Sequence, residues 1–311
     1  MKKNVTIFLA VLSLLLLTSS AFAQQYGNNG YIQNFEKGQV NWQTGLVKAT
    51  GIGAPPENAA NMAQARAMAL RAATVVARRN LLEVVKGVQI DSATTVENYM
   101  VKEDLIVSQV QGFLQNSQIL NTKYMSDGSV EVEVGISLRG GFAKVLIPRE
   151  IKFNQQAPKP DSYQPQPILT EPEPQKTDDT TLEDSGQDEG SVAMESKHVI
   201  YTGLVVDARN LDARPAMSPK LMDENGMEVY GSAMVSREYA IQQGMAGYAK
   251  EIKKARQNPR VADSPYVVEA LQTKGKTNTN LVISNEQANK VRQMSDNLNF
   301  LEKCRVMIVL K

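Results

Sequence analysis

The chain has 311 residues, with 34 Lys and Arg against 33 Asp and Glu, a formal charge of +1 that stays near zero when Lys2 and Lys3 are set aside. Such a balance supplies no bulk field to hold nucleic acid or anionic lipid. With Cys304 as sole cysteine and His198 as sole histidine, an intramolecular disulfide and a thiolate metal centre are excluded. A Ser-His-Asp triad, a Cys-His dyad or a multi-histidine zinc site would have to run through one residue at a domain edge.

The first residues read as an export signal. Lys2 and Lys3 form a positive n-region, Val5 to Leu17 is an apolar run too short to span a bilayer, and Ala21-Phe22-Ala23 offers small residues for cleavage. The mature chain is expected to start near Gln24. No cysteine sits at that junction to carry an acyl anchor. Residues 1–23 are therefore expected to be a cleaved signal peptide and the product to be periplasmic, the alternative being a membrane-anchored helix. Residues 24–39, with Gly27, Asn28, Asn29 and Gly30, read as a flexible tail.

A first folded unit is expected over residues 40–153. Val40 to Gly51 reads as a strand, followed by Gly51-Ile52-Gly53 and Pro55-Pro56. A lone GxG with no third glycine favours a tight strand-to-helix turn over a dinucleotide loop. Asn58 is placed to cap a long helix to about Val85, rich in alanine, with an apolar stripe through Leu70, Ala73, Ala77, Leu81 and Val84 and an αL stop at Gly87. Gln64, Arg71 and Arg78 mark its polar side. An extended segment at Val88–Ala93 and a second helix over Val96–Phe113 follow. Asp127-Gly128 then joins Ser117–Met125 to Ser129–Leu138 in a hairpin, whose second arm alternates Val130, Val132, Val134 with Glu131 and Glu133. The unit reads as β-α-α-β-β, a long Ala-rich helix on an antiparallel sheet.

Residues 154–197 change composition: six prolines between Pro158 and Pro174 give way to an acidic run from Asp178 to Glu189. This reads as a linker, stiff and then flexible, with a partner-docking motif as the alternative. A second α+β unit, a mixed α/β sandwich, is expected over 198–311. It comprises a strand at Ile200–Val206, a hairpin about Asn225-Gly226, a helix over Ser236–Arg256 broken near Gly244 and Gly247, strands at Tyr266–Leu271 and Leu281–Ile283, a helix capped by Ser284 and Gln287, and a buried strand within Cys304–Leu310.

Candidate chemistry is sparse. Arg66, Arg71, Arg78 and Arg79 line the long helix, either as a solvated face paired with Glu83 or as an interface. Val130 and Val132 join Arg66, Arg71 and Arg78 as interface candidates, since one face of the hairpin is free to meet a neighbour. Asp207, Arg209, Asp212 and Arg214 follow a strand end, as a loop of ion pairs or a weak polar site for a hard cation. No catalytic, cofactor-binding or metal-binding residue is assigned, and no cofactor is expected.

The series Gly51-Ile52-Gly53, Ala65-Arg66, Ala69, Ala72-Ala73, Ala77-Arg78, Leu81-Leu82 and Gly87-Val88, with Asp127-Gly128-Ser129-Val130-Glu131-Val132, resembles the twenty-kilodalton envelope lipoprotein (LPP-twenty) family. That family is related to the flagellar assembly proteins FlgP and FlgT. The resemblance covers Val40 to Leu138 and departs from the lipoproteins in lacking the lipobox cysteine. It implies an α+β module that assembles with itself or with other envelope proteins, flagellar or outer-membrane-associated, and it carries no catalytic residues. The expected function is a non-enzymatic periplasmic assembly or scaffold protein. The alternatives are a binding module for a small ligand or glycan in the second unit, or a hydrolase built on Asp207 or Asp212.

Overall fold

A computed structural model describes residues 30–157 and 201–311. The expected signal peptide, residues 24–29 of the tail, residues 158–197 of the linker, and His198 lie outside the described residues. The fold is α+β, built from two units.

The first unit begins earlier than expected. Residues assigned to a flexible tail form β1 (Ile32–Phe35) and the first half of β2 (Gly38–Asn41), an antiparallel hairpin. Phe35 packs partly buried against the core, which gives the segment an apolar anchor. The single strand expected over Val40–Gly51 is two, β2 and β3 (Leu46–Gly53), because Asn41 accepts from the amides of Gln43 and Thr44 and turns the chain there. With β4 (Gln118–Tyr124) and β5 (Val130–Ser137) these make a five-stranded antiparallel sheet in the order β1-β2-β3-β5-β4. The expected turn at Asp127-Gly128 is present, with Gly128 at φ +83°.

Helix α1 (Met62–Lys86) is capped by Asn61 rather than Asn58: the Asn61 side chain accepts from Gln64 N–H at 2.9 Å, while Gln64 reaches back to Ala60 N–H at 2.8 Å. It buries Ala65, Ala69, Ala73, Ala77, Leu81, Val84 and Val85 against the sheet, so the stripe runs through Ala65 and Ala69, with Leu70 at its margin. The helix lies almost backbone to backbone on β3. A methyl group added at Gly51 would collide with the main chain of Ala77, and one at Gly53 with the carbonyl of Ala69. The alanine ladder and the paired glycines are thus two halves of one close contact. Gly87 ends α1 in the right-handed region, φ −73°, not as an αL cap. Its lack of a side chain leaves room for the Phe35 ring.

Past α1, Val88–Ala93 is no strand; only an isolated bridge joins Gln89 to Thr95. The second expected helix is broken into α2 (Val96–Met100) and α3 (Asp104–Gln115), although its apolar positions keep helical spacing. Glu103 and Asp104 sit where a helix N-terminus favours negative charge, and the new helix starts there. A short α4 (Gly141–Leu146) closes the unit.

In the second unit, β6 (Gly203–Asp207), β9 (Gly247–Ala249), β10 (Pro265–Glu269) and β13 (Val306–Val309) form a parallel sheet in the order β10-β6-β13-β9. A smaller sheet takes the order β11-β12-β7-β8, from β7 (Leu221–Met222), β8 (Glu228–Tyr230), β11 (Gln272–Lys274) and β12 (Asn280–Val282). The helix expected over Ser236–Arg256 is α5 (Arg237–Gln243), then strand β9, then α6 (Ile252–Arg256). The two glycines mark a strand between helices rather than a kink. Helix α7 (Asn285–Leu298) starts behind Ser284, whose hydroxyl accepts from Gln287 N–H at 3.2 Å.

The parallel sheet is covered on both faces, as parallel sheets require. One face packs Val205, Met307 and Val309 with Ala255 and Val261. The other, through Leu204, Val206, Val306 and Ile308, belongs to the same apolar cluster as Val47, Ala73 and Val132 of the first unit. The units therefore share a core. Gly30 bridges antiparallel to Ala249, Tyr31 N–H donates to Tyr248 O, and the rings of Trp42 and Tyr248 meet edge to face at 5.4 Å between centroids. Residues 154–157, expected to open the linker, are held: Asn154 N–H donates to Val235 O, and Ala157 is buried.

Candidate functional site

Three regions carry the side chains relevant to function: the outside of the first unit, the loop after β6, and the seam between the units.

On the first unit, Val130 and Val132 are fully buried beneath α1. They fail as interface residues because the alternating arm turns its valines to the helix and leaves Glu131 and Glu133, half-buried, on the far face. Lys48 pairs with Glu133 there at 3.2 Å. Arg66 and Arg71 are exposed on α1, but Arg78 is half-buried, with its Nε enclosed and lacking a hydrogen-bond partner. Glu83 pairs with Lys86 rather than with Arg79. The outer face of α1 also exposes Met62, Met68, Val75 and Val76. Among the described residues strand β4 pairs with β5 alone and stands at the sheet's edge, exposing Ile119, Leu120 and Tyr124. An unpaired edge presents free N–H and C=O groups to any incoming strand.

In the second unit, Asp207 ends β6 and receives a two-pronged pair from Arg209, both hydrogen bonds 2.9 Å long. The guanidinium, foremost through its hydrogen bonds, holds the Asp207 carboxyl below the usual range. Asp212 and Arg214 take no part in that pair; both lie near Tyr31 of the first unit, whose hydroxyl pKa is raised chiefly by burial. The four residues are thus not gathered into one site. Among the described residues no cluster of His, Cys, Asp and Glu is placed to hold a metal. The Cys304 thiol is buried and its pKa pushed up to about 12, which suits a core side chain and not a nucleophile.

At the seam, two arginines face the same cleft. Arg139 follows β5 in the first unit and donates to the carbonyl of Gln43. Arg260 follows α6 in the second and donates to the carbonyls of Gly244 (3.0 Å), Cys304 (2.8 Å) and Gln243. Among the described residues neither makes an ion pair. The cleft, about 380 Å³, is lined with Gln43, Gln243, Asn258 and Met307 as well. Burial first, and then the neighbouring charge of Arg260, brings Arg139 down to about 10; Arg260 is likewise lowered, by burial. Both remain cations at neutral pH. Sequence reasoning passed over both, because two isolated arginines in different units carry no local pattern. A larger open cleft, about 1070 Å³, lies by α3 and α4 and mixes Glu103 and Glu238 with Lys144, Arg149, Lys152 and Arg237. There Arg237 is committed to the carbonyls of Ile147 and Pro148 and stacks over Phe153.

Residues 203–311 match a protein-family model described as Treponema pallidum Tp0624, second domain. The match covers the second unit and not the Val40–Leu138 stretch that resembles the LPP-twenty family. A comparison with curated proteins gives no match. Among the described residues no helix is long and apolar enough to cross a membrane.

Proposed function

We propose that this is a non-enzymatic scaffold of the bacterial periplasm that assembles through its first unit, with the second unit bracing it from behind. The observation that carries this reading is the edge strand β4, seven residues unpaired on one side, with Ile119, Leu120 and Tyr124 in solvent. Monomeric proteins protect such an edge with charges, prolines or bulges. Here Lys123 is the only charge along it, and the one irregularity lies between Ile119 and Asn121.

The partner favoured is a second copy of the chain. Two β4 strands running antiparallel about Asn121 set Ile119 beside Lys123 and Leu120 beside Thr122, so no like charges face one another. Other envelope proteins, flagellar or outer-membrane-associated, are the further partners that the LPP-twenty resemblance suggests. The export signal read at residues 1–23 supports the compartment.

Sedimentation of the purified protein tests this. The wild type is expected to associate, and Ile119→Lys to remain folded by circular dichroism while sedimenting as a monomer. A wild type that is monomeric at about 100 µM, weaker than any functional self-association in the micromolar range, would overturn assembly through copies of itself.

A further inference from the structure

We propose that the seam between the units is a binding site for a small ligand bearing an oxyanion, a phosphate or a carboxylate, held between Arg139 of the first unit and Arg260 of the second. A volume of about 380 Å³ is the size of a small-molecule pocket. Its lining contains two guanidinium groups, neutral amides and Met307, and no carboxylate.

Partly buried guanidinium groups are ordinarily matched by acids, because a cation removed from water needs a counter-charge. These two are matched only by neutral main-chain carbonyls, which satisfy hydrogen-bond geometry but leave two like charges facing one cleft. A side chain at Gly247 would come within 3.1 Å of Arg260 Nε, and one at Gly45 within 3.0 Å of Arg139 Nε. An oxyanion entering the cleft accepts from N–H groups of the two guanidinium groups that line it and supplies the absent charge. Since each unit contributes one arginine, occupancy also fastens the seam. The inference is independent of the self-assembly reading, which concerns β4, at the edge of the first unit's sheet opposite β1.

The two sources of the oxyanion are separated by titrating the full-length protein with inorganic phosphate and with succinate, against sodium chloride at matched ionic strength. Binding is followed by calorimetry and by the melting temperature. The wild type is expected to bind one of them saturably. Preference for phosphate assigns a phosphate ester and preference for succinate a carboxylic acid. Arg139→Gln should weaken binding at least about tenfold, the size of a charge-assisted hydrogen bond, without lowering the melting temperature of the ligand-free protein, because it relieves like-charge repulsion. Arg139→Lys should bind with intermediate strength, keeping the charge without the fork. The proposal is overturned if neither anion acts beyond the chloride control, or if Arg139→Gln binds as well as the wild type. A ligand-free Arg139→Gln protein that melts lower would also overturn it, making Arg139 a strut for the Gln43 carbonyl.

Discussion

In the first unit's antiparallel sheet, α1 covers one face, the far face carries Lys48, Thr50, Ile52, Glu131 and Glu133, and β4 ends in an open edge. In the second unit's parallel sheet, β6, β9 and β13 are buried along nearly their whole length, and the β9 edge is met by Gly30 and Tyr31 of the first unit. The first unit meets one edge of that sheet, β9, and leaves the other, β10, paired with β6 alone among the described residues, while its own sheet ends at β4. The two sheets thus differ in how far they are covered, and the second unit contributes to the shared core and the seam.

The strongest way to break this dependence is at Trp42. Its ring is 7% exposed, its indole N–H donates to Gln33 at 2.9 Å, and it meets Tyr248 across the seam. Trp42→Ala is expected to cost about 3–5 kcal/mol, the usual toll for emptying a buried aromatic site. Because the units share one apolar cluster, the wild type should melt in a single transition and Trp42→Ala in two, by calorimetry. Two transitions already present in the wild type would show that the seam does not couple the units.

A smaller effect with an unusual sign is expected at Gly51. Replacing a strand glycine by alanine ordinarily stabilises by about 0.4–1 kcal/mol through the unfolded chain, where the backbone allows it. At Gly51 the new methyl meets the backbone of Ala77, which has no rotamer to yield. Gly51→Ala should instead destabilise by about 1–3 kcal/mol in urea unfolding, as over-packing does. An unchanged or raised midpoint would mean that α1 lifts off β3 at little cost, and that the alanine ladder is a matter of helix propensity.

How much of this was legible in the sequence depends on the range of the forces. The Asp127-Gly128 hairpin, the body of the long alanine helix, the Ser284 cap and the buried strand near the C-terminus are set by neighbours a few residues apart and lie where the sequence places them, although the helix is capped by Asn61 rather than Asn58 and Gly87 is no αL stop. Strand β9 was taken for helix because Gly-Tyr-Ala has no alternation; it is a strand because Met307–Val309 runs alongside. The valines of β5 were read as alternating, but alternation does not say which face is covered, and the interface was assigned to the buried side. The seam was invisible for a similar reason. Trp42 and Tyr248, or Arg139 and Arg260, meet only through the tertiary fold.

The last and smallest expected effect is the response to acid of one tie within the second unit. Asp223, in the turn between β7 and β8, is almost wholly buried. It accepts from Arg292 of α7 at 2.8 Å and from Met227 N–H at 2.8 Å, so it ties the smaller sheet to the last helix. Arg292, foremost through its hydrogen bond, holds the Asp223 carboxyl below its usual range, as Arg209 does for Asp207. A carboxyl held lower in the folded than in the unfolded chain stabilises above the unfolded value, near about 3.9, and loses that contribution as the pH falls through the folded one. The melting temperature of the protein should therefore fall as the pH drops below about 4, and Asp223→Asn, already uncharged, should have a flatter acid limb from a lower starting point. Arg209→Ala should flatten it less, because the Arg209 side chain is exposed and water screens its pair with Asp207. If Asp223→Asn keeps the wild-type acid limb, the sensitivity resides elsewhere, and the link between the turn and α7 holds without its charge.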